Sequence, residues 1–314
     1  MKRLIACFIF ISLLLSCNGK LELSDELLFA DRELVRILSH ALNGNDEISV
    51  SLSDTAMLVE YTFKGIRMHS GAIGSSFSIP LPAPLEMGEV ECFSLTLKKD
   101  TGAITRASFL LVGKNKNIPS LIINELSIKG TSTAPDRIEL LALTSGNLKG
   151  VIVSDELDFK DKEHYSFPDM EVQAGDIIVL YWDREGEERR IVRKNGSSTY
   201  FMNARMDSTL ISTDGLLAIF ADYDGHILDA LIYSDDPENE ENPFGTEVLK
   251  EKAEYLIKEG FWYGEPIDSS LVTSSRVLAR FPDTMDSDSA EDWFTTEAKK
   301  SSFGEENTAY VYSP

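Results

Sequence analysis

Cysteine and histidine are scarce in this chain of 314 residues, at three and four respectively. Cys7 and Cys17 sit at the extreme N-terminus, which leaves Cys92 as the one cysteine of the body and rules out an internal disulfide there. In the strand-like run Val90-Glu91-Cys92-Phe93-Ser94-Leu95, a buried thiol is commoner than a reactive one. His40, His69, His164 and His226 are scattered without metal-ligand spacing and read as surface residues. There is no Gly-x-Ser-x-Gly elbow, no phosphate loop ending in Gly-Lys-Ser/Thr, no His-Glu-x-x-His and no Cys-x-x-Cys. Those absences remove the usual marks of a hydrolase, a nucleotide-binding protein or a zinc site. Positive charge is also short, with 30 Lys and Arg against 52 Asp and Glu and a net charge of −22. Such a chain repels phosphate backbones and anionic headgroups, so nucleic acid is not an expected partner. Solubility is the plain consequence of the acidity, and divalent-cation binding the sharper one.

Long apolar runs are missing too, except at the start, where Lys2 and Arg3 precede an apolar segment from Leu4 to Leu15. That segment is shorter than the roughly 20 residues a membrane-spanning helix needs and reads as an export signal. It ends Leu14-Leu15-Ser16-Cys17, which resembles the lipobox of bacterial lipoproteins. The resemblance implies a signal at 1–16, cleavage before Cys17 and acylation of that cysteine, for instance with palmitate. An ordinary signal peptide or an uncleaved anchor is the alternative. Loss of Lys2 and Arg3 with the signal would take the net charge from −22 to −24. Acyl chains contribute about 0.8 kcal/mol per buried methylene, so two or more hold a protein stably at a bilayer. The expected location is therefore the cell envelope, with the lipid bilayer engaged through Cys17 and Asn18-Gly19-Lys20 beginning a short tether.

Periodicity divides the rest. Residues 17–47 hold the tether and a helical stripe of Leu27, Ala30, Leu34, Leu38 and Ala41, with Ser24 as N-cap and Asn43-Gly44 as stop. Residues 48–113 change to strands at Ile48–Leu52, Met57–Phe63, Val90–Leu97 and Ala107–Val112, with Asp100-Thr101-Gly102 suited to a hairpin. A small β-sandwich is the natural reading. A polar linker at 114–120 ends in Pro119-Ser120, and a second domain runs from 121 to 314. The fold class expected is all-β: two immunoglobulin-like β-sandwich domains in tandem, with a short N-terminal helix and a helical insertion in the second domain.

Several motifs of that second domain follow one another in order. They are Ile123-Asn124-Glu125, Ile138-Glu139-Leu140, Gly150-Val151-Ile152-Val153-Ser154-Asp155 and Ala174-Gly175-Asp176 before the run Ile177–Leu180. Later come Asp222-Tyr223-Asp224-Gly225-His226-Ile227-Leu228-Asp229, Ser275-Arg276-Val277-Leu278-Ala279-Arg280 and Asp292-Trp293. Together they resemble the lamin tail domain, an immunoglobulin-type sandwich of many exported bacterial proteins. Two elements differ: Leu141-Ala142-Leu143 stands where the family has Tyr-Asn, and Val151 or Ile152 where it has tryptophan. The resemblance implies an adaptor or attachment module.

Glu125 and Glu139 lie in strand patterns, where buried carboxylates need donors, and Arg276 or Arg280 is the expected source. An insertion at about 234–266 opens with the acidic run Asp235-Asp236-Pro237-Glu238-Asn239-Glu240-Glu241. It continues with a helix on Leu249, Ala253, Leu256 and Ile257, capped by Thr246 and Gly260. Phe261-Trp262-Tyr263 follows and would anchor a partner if exposed; packing against the sandwich is the other outcome. Asp222, Asp224 and Asp229, and likewise Asp283, Asp286 and Asp288, could offer oxygen ligands to Ca2+ but lack a full calcium-loop pattern. Turn and strand-end capping is their simpler use. No catalytic residue is assigned and no resident cofactor is expected. The function read from the sequence is a non-catalytic, membrane-anchored lipoprotein that binds a protein or glycan or acts as a spacer. An envelope hydrolase with an Asp-based metal site, or a nuclease-associated protein, is the alternative.

Overall fold

The structure, a computed structural model, describes residues 34–131, 133–282 and 285–314, and is all-β apart from a single α-helix among those residues. Cys17, Ser24, Leu27, Ala30 and Asp283 lie outside the described residues. No helix among the described residues is long and apolar enough to cross a membrane. The chain separates into two compact units, 1–114 and 115–314.

The first unit contains β1 (Ile37–Asn43), β2 (Glu47–Phe63), β3 (Ile66–His69), β4 (Ile73–Pro80), β5 (Val90–Lys98) and β6 (Ile104–Val112). They form one hydrogen-bonded sheet around β2, in the order β1-β2-β5-β6, with β3 and β4 also paired to β2. β2 buries Ile48, Val50, Leu52, Ala56 and Leu58, then Tyr61 and Phe63. The change from even to odd positions falls at an irregularity between Leu58 and Glu60. One extra residue there turns the following side chains to the opposite face, so both halves of a long strand serve one core.

The expected N-terminal helix is corrected where it is described: residues 37–43 form β1, antiparallel to β2. Asn43-Gly44 acts as a hairpin turn rather than a helix stop, with Gly44 at φ 64°. Leu34 and Leu38 of the supposed apolar stripe are exposed, while Val35 is buried.

The second unit holds β7 (Leu121–Ser127), β8 (Arg137–Ala142), β9 (Gly146–Asn147), β10 (Ile152–Ser154), β11 (Tyr165–Ser166), β12 (Glu171–Val172) and β13 (Ile177–Tyr181). It continues with β14 (Arg189–Val192), β15 (Ser198–Asn203), β16 (Gly215–Phe220), β17 (Ile227–Ser234), α1 (Glu247–Glu259), β18 (Ile267–Asp268), β19 (Leu278–Arg280) and β20 (Trp293–Thr295). A seven-stranded sheet runs β14-β15-β13-β8-β7-β19-β20, and a five-stranded sheet runs β11-β10-β16-β17-β18. Both contribute to one apolar core, which includes Ile123, Leu140, Ile178, Leu180, Leu217 and Leu231. β13 alternates, so Ile177 and Val179 point the other way, toward Phe201 and Phe303 of the C-terminal segment. β13 is therefore covered on both faces, which explains why Ile177-Ile178-Val179-Leu180 is apolar at every position.

Candidate functional site

The hairpin between β16 and β17 turns at Asp224-Gly225, with Gly225 at φ 95°. Asp222 Oδ1 accepts from the Asp224 backbone N–H at 3.0 Å and lies 2.9 Å from His226 Nδ1. Asp222, Asp224 and His226 each present a ligand atom within 4.8 Å of the others. Asp229 is not with them. It is buried in β17, and its carboxylate instead approaches Asp286 and Asp288. The sequence trio Asp222, Asp224 and Asp229 thus separates into two clusters.

Helix α1 flanks this hairpin. Thr246 Oγ1 accepts from the Leu249 N–H at 3.2 Å, and Leu249, Ala253 and Leu256 are buried. At its end Gly260 is left-handed at φ 81°; its N–H donates to Ile257 O and that of Phe261 to Leu256 O. This double bond pattern reverses the chain and drops the next residues onto the core. Trp262 is consequently fully buried, donating from Nε1 to Glu265 O at 3.2 Å, and Phe261 packs partly buried on the same core. Of the two outcomes open for Phe261-Trp262-Tyr263, packing holds for Phe261 and Trp262, which therefore offer no partner an anchor, and only Tyr263, 55% exposed, faces solvent.

Between α1, the hairpin tip and the short 3-10 turn Phe159–Asp161 lies a groove of about 450 Å3. Tyr255, 47% exposed, supplies apolar surface above the buried rings of Phe159 and Phe220, while Lys160, Asp224 and Lys252 carry charge. Phe159 is locked by Phe220 and Tyr223, with ring centroids at 4.5 and 5.6 Å. Lys252 is held by Glu156. Aromatic faces beside fixed charges suit a ligand with both apolar and polar edges. Phe159 and Tyr255 carried no local sequence signal, because one reads as a loop residue and the other as the polar side of a helix. A second cleft of about 470 Å3 is lined by Asp136, Asp183 and Arg184. Its Asp136 carboxylate accepts from the backbone N–H groups of Gly130 and Leu210, which is loop-tying work.

Glu125 and Glu139 face each other across β7 and β8, both fully buried. Neither is paired with Arg276 or Arg280, contrary to the sequence expectation. Their donors come from the C-terminal segment and from β7: Ser302 N–H to Glu125 at 2.9 Å, Gly304 N–H to Glu139 at 2.6 Å, and Asn124 Nδ2 to Glu139 at 2.7 Å. Burial pushes Glu125 up to about 7, and burial plus the Glu125 charge pushes Glu139 up to about 8. Arg276 stacks on Tyr312 at 4.1 Å instead. Arg280, 4% exposed, donates through Nε to Ile123 O at 3.1 Å and through one terminal nitrogen to Asp286 at 2.5 Å and Asp292 at 3.1 Å. His40 stacks on Phe109 at 4.0 Å, and His164 Nδ1 meets Phe159 O at 3.1 Å; both are used structurally.

No curated protein matches the chain. Among solved structures, one described as a DUF4876 family protein from Bacteroides thetaiotaomicron aligns over 78% of this chain and 89% of its own, at 10% identity and a TM-score of 0.28. Residues 119–295, more than half of the chain and nearly the whole framework of the second unit, match the family model described as TP_1001_2nd, protein second domain, and the chain belongs to that family.

Proposed function

We propose that this protein is a membrane-anchored lipoprotein of the bacterial envelope, acylated at Cys17, with a single-sheet first unit followed by an immunoglobulin-like sandwich unit that binds rather than catalyses. The second unit serves as a lamin-tail-like adaptor. The observation that carries this reading is the groove formed by α1, an addition to the β framework, together with the hairpin tip. A helix capped at both ends, fixed to the core and set beside locked aromatic rings is a preorganised surface, which reduces the ordering cost of binding. The partner is an envelope protein or glycan. Pull-down from envelope extract and glycan-array binding of the folded protein should both be compared with Tyr255→Ala, Phe159 being left intact because it is core. Loss of a specific ligand in Tyr255→Ala supports the groove, and equal retention sinks it. Labelling cells with radioactive palmitate tests the anchor separately; a wild-type chain labelled no more than Cys17→Ser defeats it.

A second reading has one observation in its favour. Asp222, Asp224 and His226 converge at the rim of the same groove, as an Asp-based metal hydrolase would require. Their proximity arises within a single turn, so it costs the fold nothing and is weak support. Cation-dependent hydrolysis of an envelope polymer that disappears in Asp224→Asn would establish it.

A further inference from the structure

Asp229 presents a puzzle that its neighbours resolve. Its side chain is 2% exposed, and while Oδ2 accepts from the Ile123 N–H at 2.6 Å, Oδ1 has no hydrogen-bond partner. A buried carboxylate oxygen left unpaired is costly, and native folds rarely keep one without a use. The same carboxylate offers an oxygen within 4.8 Å of one from Asp286 and one from Asp288, both half-buried on the segment after β19. Arg280 is the nearest cation, yet it cannot satisfy the group. Its Nε is committed to Ile123 O, one terminal nitrogen serves Asp286 and Asp292, and the other stands 3.9 Å from Asp229. Four carboxylates thus share one guanidinium.

We propose that Asp229, Asp286 and Asp288 form a binding site for one calcium ion, which ties the segment after β19 to β17. Oxygens bound to one calcium ion at about 2.4 Å lie no more than about 4.8 Å apart, a limit these three meet, and calcium accepts a flexible oxygen shell where magnesium demands a near-ideal octahedron. Three carboxylates supply the hard anionic donors that calcium takes, and the partial exposure of Asp286 and Asp288 leaves room for waters to complete its shell. Burial first, and the charges of Asp286 and Asp288 to a smaller extent, push Asp229 up to about 7 against the pull of Arg280 and the Ile123 N–H. A divalent ion supplies what is lacking. The site is distinct from the hairpin cluster of Asp222, Asp224 and His226, so it stands whether or not the groove binds a partner.

The test is a calcium titration of the full chain after chelation, read by equilibrium dialysis, thermal melting and terbium luminescence. Trp293, whose ring lies 4.9 Å from the Arg280 guanidinium, is placed to sensitise terbium there. One calcium per chain, a rise in Tm with calcium, and an affinity at least tenfold weaker in Asp288→Asn with Asp224→Asn unchanged are expected. No calcium retained by wild-type protein at millimolar concentration overturns the proposal and does not depend on any variant folding. Retention in Asp288→Asn with loss in Asp224→Asn also overturns it and moves the ion to the hairpin.

Discussion

The two units reach a stable interior by different routes. Among the described residues, every buried polar or charged side chain belongs to the second unit, including Glu125, Glu139, Asp229, Arg280 and Asp292. The first unit buries only apolar groups, such as Ile48, Phe63, Phe93 and Leu97. An apolar interior is held by transfer from water and close packing, which are indifferent to pH and weakly sensitive to salt. A polar interior holds only if each donor and acceptor is met, and here the partners come from distant segments such as Ser302, Gly304 and Asn307. Chemistry that responds to ions or protons should therefore reside in the second unit, while the first behaves as inert framework.

The largest effects probe that contrast directly. Arg280→Met should cost roughly 3–5 kcal/mol, because it strips the counter-charge from buried Asp292 and its neighbours. Phe93→Ala, which removes a fully buried ring stacked between Tyr61 and Phe109, should cost a similar 3–5 kcal/mol or so. Urea unfolding with hydrogen exchange separates the two variants. Arg280→Met should expose amides of 115–314 and vary with pH, and Phe93→Ala should expose those of 34–114 and be flat between pH 5.5 and 8.5. A pH-dependent Phe93→Ala would break the comparison.

Next in size is the glutamate pair. Both groups are raised, to about 7 and about 8, so between the unfolded value near 4.5 and those values the folded state holds protons that the unfolded chain has released. Stability contributed by the pair is therefore greatest at mildly acid pH and falls as pH rises toward 8. The expected loss between pH 6.5 and 8.5, about two units summed over the pair, is on the order of 2–3 kcal/mol at ~1.4 kcal/mol per unit. Urea midpoints of wild type should fall over that range, and those of Glu125→Gln should fall less. Midpoints that climb with pH would show that the pair is ionised and paired in the folded state.

Much of this architecture was legible where one short rule dominated. Thr246 and Gly260 frame α1, and Asp100-Thr101-Gly102 and Asp224-Gly225 turn hairpins, because capping and tight turns are decided by a few adjacent residues. Reading failed where two rules competed. Leu34, Leu38 and Ala41 suit a helix in isolation, yet Asn43-Gly44 sets a hairpin whose second strand is the long β2, and sheet pairing overrides periodicity. Ile48–Leu52 and Met57–Phe63, expected as separate strands, are one, with Ser53-Asp54-Thr55 as its exposed middle. At the candidate sites the obstacle was distance along the chain. Asp229 was grouped with Asp222 and Asp224 by sequence proximity, whereas the antiparallel ladder takes it away from the tip toward Arg280. Most donors of Glu125 and Glu139 come from the C-terminal segment, two of them backbone N–H groups of Ser302 and Gly304 that no side-chain pattern announces.

The smallest expected effect concerns the standing of α1 within the second unit. Removing the Thr246 hydroxyl in Thr246→Ala leaves the Leu249 N–H without its cap and should cost about 1 kcal/mol. Leu249 and Leu256 anchor the helix on the core from opposite ends, so the loss should appear as faster exchange over 247–251 and leave the strands of the seven-stranded sheet protected. Tyr255, a turn beyond the frayed region, should keep its place at the groove, and partner retention should change little. If Thr246→Ala instead loosens β17 and β7 together, α1 is a structural member of the sandwich rather than an addition to it. The groove would then be a by-product of packing, and the division between an inert first unit and a functional second one would rest on the Arg280 aspartates alone.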